Sequence, residues 1–276
     1  TMLRHTLRQL RQTHQPLRHA SSQQMAAVGA TAGLMGSLAG MGGGFVAIPL
    51  MTRLGISQHA AHGTSLVGVL ATGLAGASAY AMEGEVDVVA AAAVASTGAL
   101  TASLGARAAA ALSAKQLARA LGVFMLAVAP IVPCRKRILD ALGVDGAPRP
   151  PPSLENPLAA APLFAIGGTA GVLAGLFGVG GGAVVVPLLA LATDLDHKTA
   201  LGTSLCAMVP TAIAGVAAHA RLGNVVAKTA APLALGTCCG AFLGGRLAAR
   251  LDEEPMQLGF GATMVALGAR TLAKAR

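Results

Sequence analysis

The chain has 276 residues, of which 54% are hydrophobic and only 11% charged, with a mean hydropathy of +0.66. Soluble domains carry about 25% charged residues, so a soluble enzyme or binding module does not account for the bulk of this chain. A net charge of +9 admits nucleic-acid binding, but the Lys and Arg residues lie between apolar segments, where they orient membrane helices, and no nucleic-acid partner is expected.

Residues 1–24 carry Arg4, Arg8, Arg11 and Arg18 and no acid; the first acidic residue of the chain is Glu83. Such a segment reads as a short cytoplasmic basic tail or as an organelle transit peptide. Uncharged stretches follow at 19–52, 54–82, 88–106, 156–193 and 199–220. They approach or exceed the roughly 20 apolar residues that a membrane-spanning helix needs. Shorter ones occupy 120–134, 229–245 and 255–269. The spacing predicts helices within 24–53, 57–82, 88–111 and 115–133. A polar linker follows at 134–156, marked by Arg135-Lys136-Arg137 and by Pro148, Pro150, Pro151 and Pro152. Further helices are predicted within 157–192, 198–220, 226–250 and 255–273. Backbone groups in lipid must be satisfied internally, and these runs are too long for barrel strands. The expected fold is all-α, a polytopic membrane bundle of about eight spans.

The chain repeats itself. Gly40-Met-Gly42-Gly43-Gly44-Phe-Val-Ala-Ile-Pro49-Leu50 returns 138 residues later as Gly178-Val-Gly180-Gly181-Gly182-Ala-Val-Val-Val-Pro187-Leu188. Gly63-Thr64-Ser65-Leu66 returns at an offset of 139 as Gly202-Thr203-Ser204-Leu205, and at that offset Gly84 matches Gly223, Arg107 matches Arg246, and Gly122 matches Gly261. Several matches in one register indicate a duplication, with one four-helix repeat at 25–133 and a second at 157–276.

Residues 24–53 would make a helix of about 45 Å, longer than the roughly 30 Å hydrocarbon core. Each glycine of a triple run costs about 1 kcal/mol in a helix. A break is therefore expected near Gly42–Gly44, either as one discontinuous span or as a re-entrant hairpin. The first gives parallel repeats and the second inverted ones. Both split the basic residues between the two sides in the same proportion. The parallel arrangement keeps Arg135-Lys136-Arg137 inside and is the one expected.

A half-helix that starts after such a break aims bare N–H groups at mid-membrane, which makes an anion site without a charged side chain. Close packing through Gly36-x-x-x-Gly40 or Gly171-x-x-x-Gly175 is the competing reading. The hydroxyls of Thr64, Ser65, Thr203 and Ser204 can ligate an oxyanion or act as N-caps. All eleven acids lie in loops or at segment ends, which tilts the substrate towards an anion. Arg107 and Arg246 can attract an anion or anchor helix ends. His59, His62, His197 and His219 read as structural, and no proton relay is assigned. Gly178-x-Gly180-x-x-Ala183 fits the loose dinucleotide fingerprint but lies in an uncharged stretch, and no Gly-Lys-Ser/Thr follows either glycine run. The four Cys have no metal spacing. No cofactor, metal or catalytic residue is assigned.

The paired Gly-x-Gly-Gly-Gly-x4-Pro-Leu motifs at 40–50 and 178–188, with the paired Gly-Thr-Ser-Leu motifs, resemble the TauE/SafE family of sulfite-exporter-like permeases over about residues 24–275. The resemblance implies multi-pass transport of a small sulfur anion such as sulfite or an organosulfonate. It points at Gly42, Gly43, Gly44, Thr64, Ser65, Gly180, Gly181, Gly182, Thr203 and Ser204 as substrate-binding residues. The expected protein is a secondary transporter, not an enzyme, working by alternating access in a lipid bilayer. The cell membrane is the expected location, with an organelle inner membrane as the alternative; homo-oligomerisation is left open. The rival readings are a passive anion channel, an intramembrane enzyme and a membrane-embedded scaffold or accessory subunit.

Overall fold

The computed structural model describes residues 20–131 and 157–275, together with 133, 134, 137, 140 and 141. The basic segment at 1–19 and the Pro-rich run at 148–152 lie outside the described residues. Among the described residues ten helices follow one another: α1 Ser22–Leu38, α2 Gly44–Arg53, α3 Gln58–Ala81, α4 Val88–Ala111, α5 Ala114–Val128, α6 Pro157–Phe177, α7 Gly182–Ala192, α8 His197–Arg221, α9 Ala227–Ala248 and α10 Glu253–Lys274. Among the described residues there is no strand, and the fold is all-α as expected. By length and composition α3, α4, α6, α8 and α9 can each cross a membrane. That is five helices among the described residues, against the eight expected spans.

Helix starts are written locally. Ser21 with Gln24, and Ser113 with Gln116, form capping boxes that satisfy the first bare amides of α1 and α5. The carboxylates of Asp87 and Asp196 accept from the backbone amides of Ala90 and Thr199 at the starts of α4 and α8. Asp252, Glu253 and Glu254 place negative charge at the positive end of the α10 dipole.

The first expected break occurs at residues 39–43, between α1 and α2, with Pro49 inside α2. It is a reversal. Gly43 caps α2 at φ +71°, a left-handed conformation that side chains resist. A Cβ there would overlap the carbonyl oxygen of Ala32, eleven residues back, and one on Gly36 would overlap the Gly43 nitrogen. A continuing rod would hold Ala32 and Gly43 roughly 16 Å apart. So α2 folds back beside α1. The second break has the same form: Gly181 caps α7 at φ +76°, with its Cβ direction 2.6 Å from the Ala170 oxygen.

The long helices interlock. Gly29 and Gly33 of α1 lie against Leu233, Thr237 and Ala241 of α9, so these two helices run parallel; Gly171 and Gly175 of α6 lie likewise against Gly98 and Ala102 of α4. Small residues let the backbones approach this closely. Gly171 and Gly175 thus serve packing, as one reading had it. Gly36 instead packs within its own hairpin, and Gly40 stands in the turn at φ +65°. Between α3 and α8 the order reverses: Leu66 meets Gly215, Gly73 meets Leu205 and Val209, and Gly76 meets Leu205. The matching Gly-Thr-Ser-Leu motifs therefore sit on antiparallel helices. The parallel arrangement expected from Arg135-Lys136-Arg137 is overturned. The charge tally was equal for both directions, and only these contacts distinguish them.

Candidate functional site

The two glycine turns meet in the middle of the bundle, and Gly40–Gly44 and Gly178–Gly182 are all buried. A Cβ on Gly44 would touch the backbone of Gly178 and Val179, and one on Gly182 that of Gly40 and Met41. Gly42 and Gly180 both abut Val69 Cγ1 and Met208 Sδ, side chains at matching positions of α3 and α8. The amides of Gly42, Gly43, Gly44, Gly180, Gly181 and Gly182 have no backbone acceptor among the described residues. Within α2 and α7, the Val46 amide donates to Gly43 O and the Val184 amide to Gly181 O. Bare amides at two helix starts concentrate partial positive charge in an apolar centre.

The hydroxyls surround this centre and are already engaged. Ser65 Oγ donates to Gly178 O at 2.7 Å and to His62 O at 2.8 Å; Ser204 Oγ donates to Gly40 O at 2.8 Å. Each serine of one half thus holds the first carbonyl of the other half's turn. Thr64 Oγ1 accepts from the Val226 amide at 3.1 Å, and Thr203 Oγ1 from the Asp87 amide at 2.9 Å. Val226 and Asp87 are the N-cap residues of α9 and α4. The alternative that these hydroxyls cap α3 and α8 is corrected. Those caps are Ser57 and Asp196, and Thr64 and Thr203 lie well inside the helices. The six glycines and the two serines come together at the turns, whereas Thr64 and Thr203 hold the Val226 and Asp87 amides towards opposite ends of the bundle.

The sequence aligns Tyr80 with His219 and, from the residue types, reads that position as not symmetric; the structure gives the two one role. Tyr80 OH donates to Ser37 O at 3.1 Å, and His219 Nε2 sits 2.7 Å from Gly175 O. Tyr80 aligns with His219, and Ser37 with Gly175, so two chemically different rings bind equivalent carbonyls. The mismatch in residue type hid the match in role. Arg246 anchors a helix end, with Nη1 2.7 Å from Glu83 Oε1. Among the described residues no three His, Cys, Asp or Glu side chains are grouped to hold a metal ion.

The family model for the sulfite exporter TauE/SafE matches residues 25–273. The chain belongs to the TauE/SafE family. It is similar to the probable membrane transporter protein YunE of Bacillus subtilis, 27% identical over 245 residues, 82% of this chain and 87% of that one. A probable membrane transporter protein of Xylella fastidiosa is 30% identical over 244 residues, 87% of this chain and 89% of its own. One from Haemophilus influenzae is 41% identical over 96 residues, 32% of this chain and 36% of that protein. No solved structure matches. The TauE/SafE chain is accordingly a multi-pass membrane transporter.

Proposed function

We propose that this TauE/SafE transporter moves a small sulfur oxyanion, sulfite or an organosulfonate, across the cell membrane by alternating access between two inverted halves, 25–133 and 157–276. In this reading α3, α4 and α5 cross the membrane, as do α8, α9 and α10. The α1–α2 and α6–α7 hairpins enter from opposite faces and meet at their glycine turns. Gly42–Gly44 and Gly180–Gly182 offer amides to the anion. Thr64, Ser65, Thr203 and Ser204 complete the surround and tie each hairpin to the opposite half, so the halves can rock as bodies about the shared centre.

The observation that carries the reading is the pair of buried, unbonded amide runs at facing helix starts, at the point where an inverted-repeat transporter places its site. The end of the bundle that bears Arg53, Lys115, Arg221, Lys228, Arg270 and Lys274 has no acid among the described residues, and faces the cytoplasm by the positive-inside rule.

The test is uptake of radiolabelled sulfite into proteoliposomes, with unlabelled sulfite, an alkanesulfonate and chloride as competitors. Saturable uptake with counterflow, competed by the sulfur anions and not by chloride, supports a carrier. Leak without counterflow, or no flux, defeats it. Single cysteines, introduced at Ser57 and Gly84 of a Cys-free background, should label from opposite sides.

A further inference from the structure

A cleft of about 260 Å³ opens at the basic end, between the end of α2, the start of α5 and the end of α10. Four cations line it, Arg53, Lys115, Arg270 and Lys274, with the neutral donors Thr52 and Thr271. All four cations are exposed, and among the described residues none has a carboxylate partner. At this size the cleft suits a hydrated inorganic ion or a single headgroup rather than a larger organic ligand. Four like charges converging on one recess repel one another unless an anion joins them.

The corresponding place at the other end argues that the basic cleft is specific. Val186, Pro187, Ala190, Leu191 and His197 there occupy the positions of Ile48, Pro49, Thr52, Arg53 and Gln58, but the recess has shrunk to about 10 Å³, roughly one water. Leu191 stands where Arg53 does, Ile131 where Arg270 does and Glu254 where Lys115 does. Arg135, which aligns with Lys274, lies outside the described residues; among the described residues the recess at this end is the one that is open and lined by cations.

That cleft also reaches inward. Gln58 lines it, and its Nε2 lies 2.8 Å from Nε2 of the fully buried His62. The His62 carbonyl accepts from Ser65, which clamps the second glycine turn. The other ring nitrogen, Nδ1, is buried without a partner. A polar line thus runs from the cleft floor to the glycine centre.

We propose that this cleft is an oxyanion-binding vestibule. It gathers a sulfate-, sulfite- or phosphate-type group between Arg53, Lys115, Arg270 and Lys274, at one mouth of the transport path. The proposal rests on the transport reading for its purpose but not for its occupancy. Guanidinium and ammonium donors recognise the oxygens shared by a free oxyanion and by a lipid phosphate.

The test follows acetylation of individual lysines by mass spectrometry on the full chain in nanodiscs. In phosphatidylcholine discs, inorganic sulfate should slow modification of Lys115 and Lys274 in proportion to occupancy, about tenfold at ten times its Kd, and leave Lys228 unchanged. Protection should fade as sodium chloride is raised and be lost in Arg53→Gln with Arg270→Gln. Protection without sulfate in phosphatidylglycerol discs, at the same two lysines, identifies the oxyanion as a lipid phosphate. No selective protection in either disc, or equal protection of Lys228, overturns the proposal. Sulfite flux is measured separately: protection without flux keeps the vestibule and removes the transport reading, and flux without protection does the reverse.

Discussion

The two ends of the bundle are built from corresponding residues and differ in almost every charge. At one end Arg246 pairs with Glu83, Thr199 donates to Glu85 at 2.6 Å, and Lys198 donates to Ala249 O at 3.0 Å. At the other end the positions of Glu83 and Glu85 hold Leu222 and Asn224, and Arg107, the counterpart of Arg246, is exposed. The acidic end is tied across helices, and the basic end is left open around its cleft. The centre shows the opposite behaviour. There the turn glycines, the serine clamps and the threonine clamps are matched residue for residue. A glycine whose Cβ would strike backbone cannot change without moving the chain, whereas an exposed end tolerates any charge. The sharpest differences in charge lie at the exposed ends.

The most severe test of the matched centre is a side chain at the turn caps. Gly43→Ala and Gly181→Ala each impose left-handed strain of about 1–2 kcal/mol and a backbone overlap of about 1–3 kcal/mol. Both should lower Tm in detergent by several degrees and abolish sulfite flux. One tolerated substitution would show that the centre is not symmetric in function. Next come the clamps. Ser65→Ala and Ser204→Ala each leave a buried carbonyl short of a donor, at about 1–3 kcal/mol. They should depress flux to similar extents, and unequal losses would identify the hairpin that moves.

The ring pair is expected to matter less. Tyr80→Phe and His219→Leu should each cost about 1 kcal/mol by thermal denaturation. His219→Gln, which keeps a donor, should recover stability with an unchanged pH profile of flux. A shifted pH profile would make His219 a proton carrier and end its structural assignment. The smallest effect is expected at the acidic end. Arg246→Gln breaks an ion pair whose side chains are 40% and 39% exposed, worth about 0–1 kcal/mol, so Tm should barely move. A large loss of flux with unchanged Tm would show the pair to be a gate.

Much of this was legible in the residues. Uncharged runs, some of membrane length and some shorter, located the eight segments that hold the described helices. The triple glycines located the breaks, and the doubled motifs led to the family. The reversal at each turn was not legible, because a glycine run permits a kink and a hairpin alike. The N-cap reading of Thr64 and Thr203 failed because a hydroxyl near a helix start looks the same whether it bonds its own helix or a loop 162 or 116 residues away.

Sequence alone settled that this chain is helical, apolar and twice interrupted, since hydropathy and glycine strain act over a few neighbouring residues. Tertiary structure decided direction: which way α2 and α7 turn, that α3 and α8 oppose each other, and that one recess closes while the other stays open. The turns depend on contacts seven to eleven positions apart, and the opposed helices on contacts between residues more than a hundred apart, where a missing Cβ or a single carbonyl oxygen determines what fits.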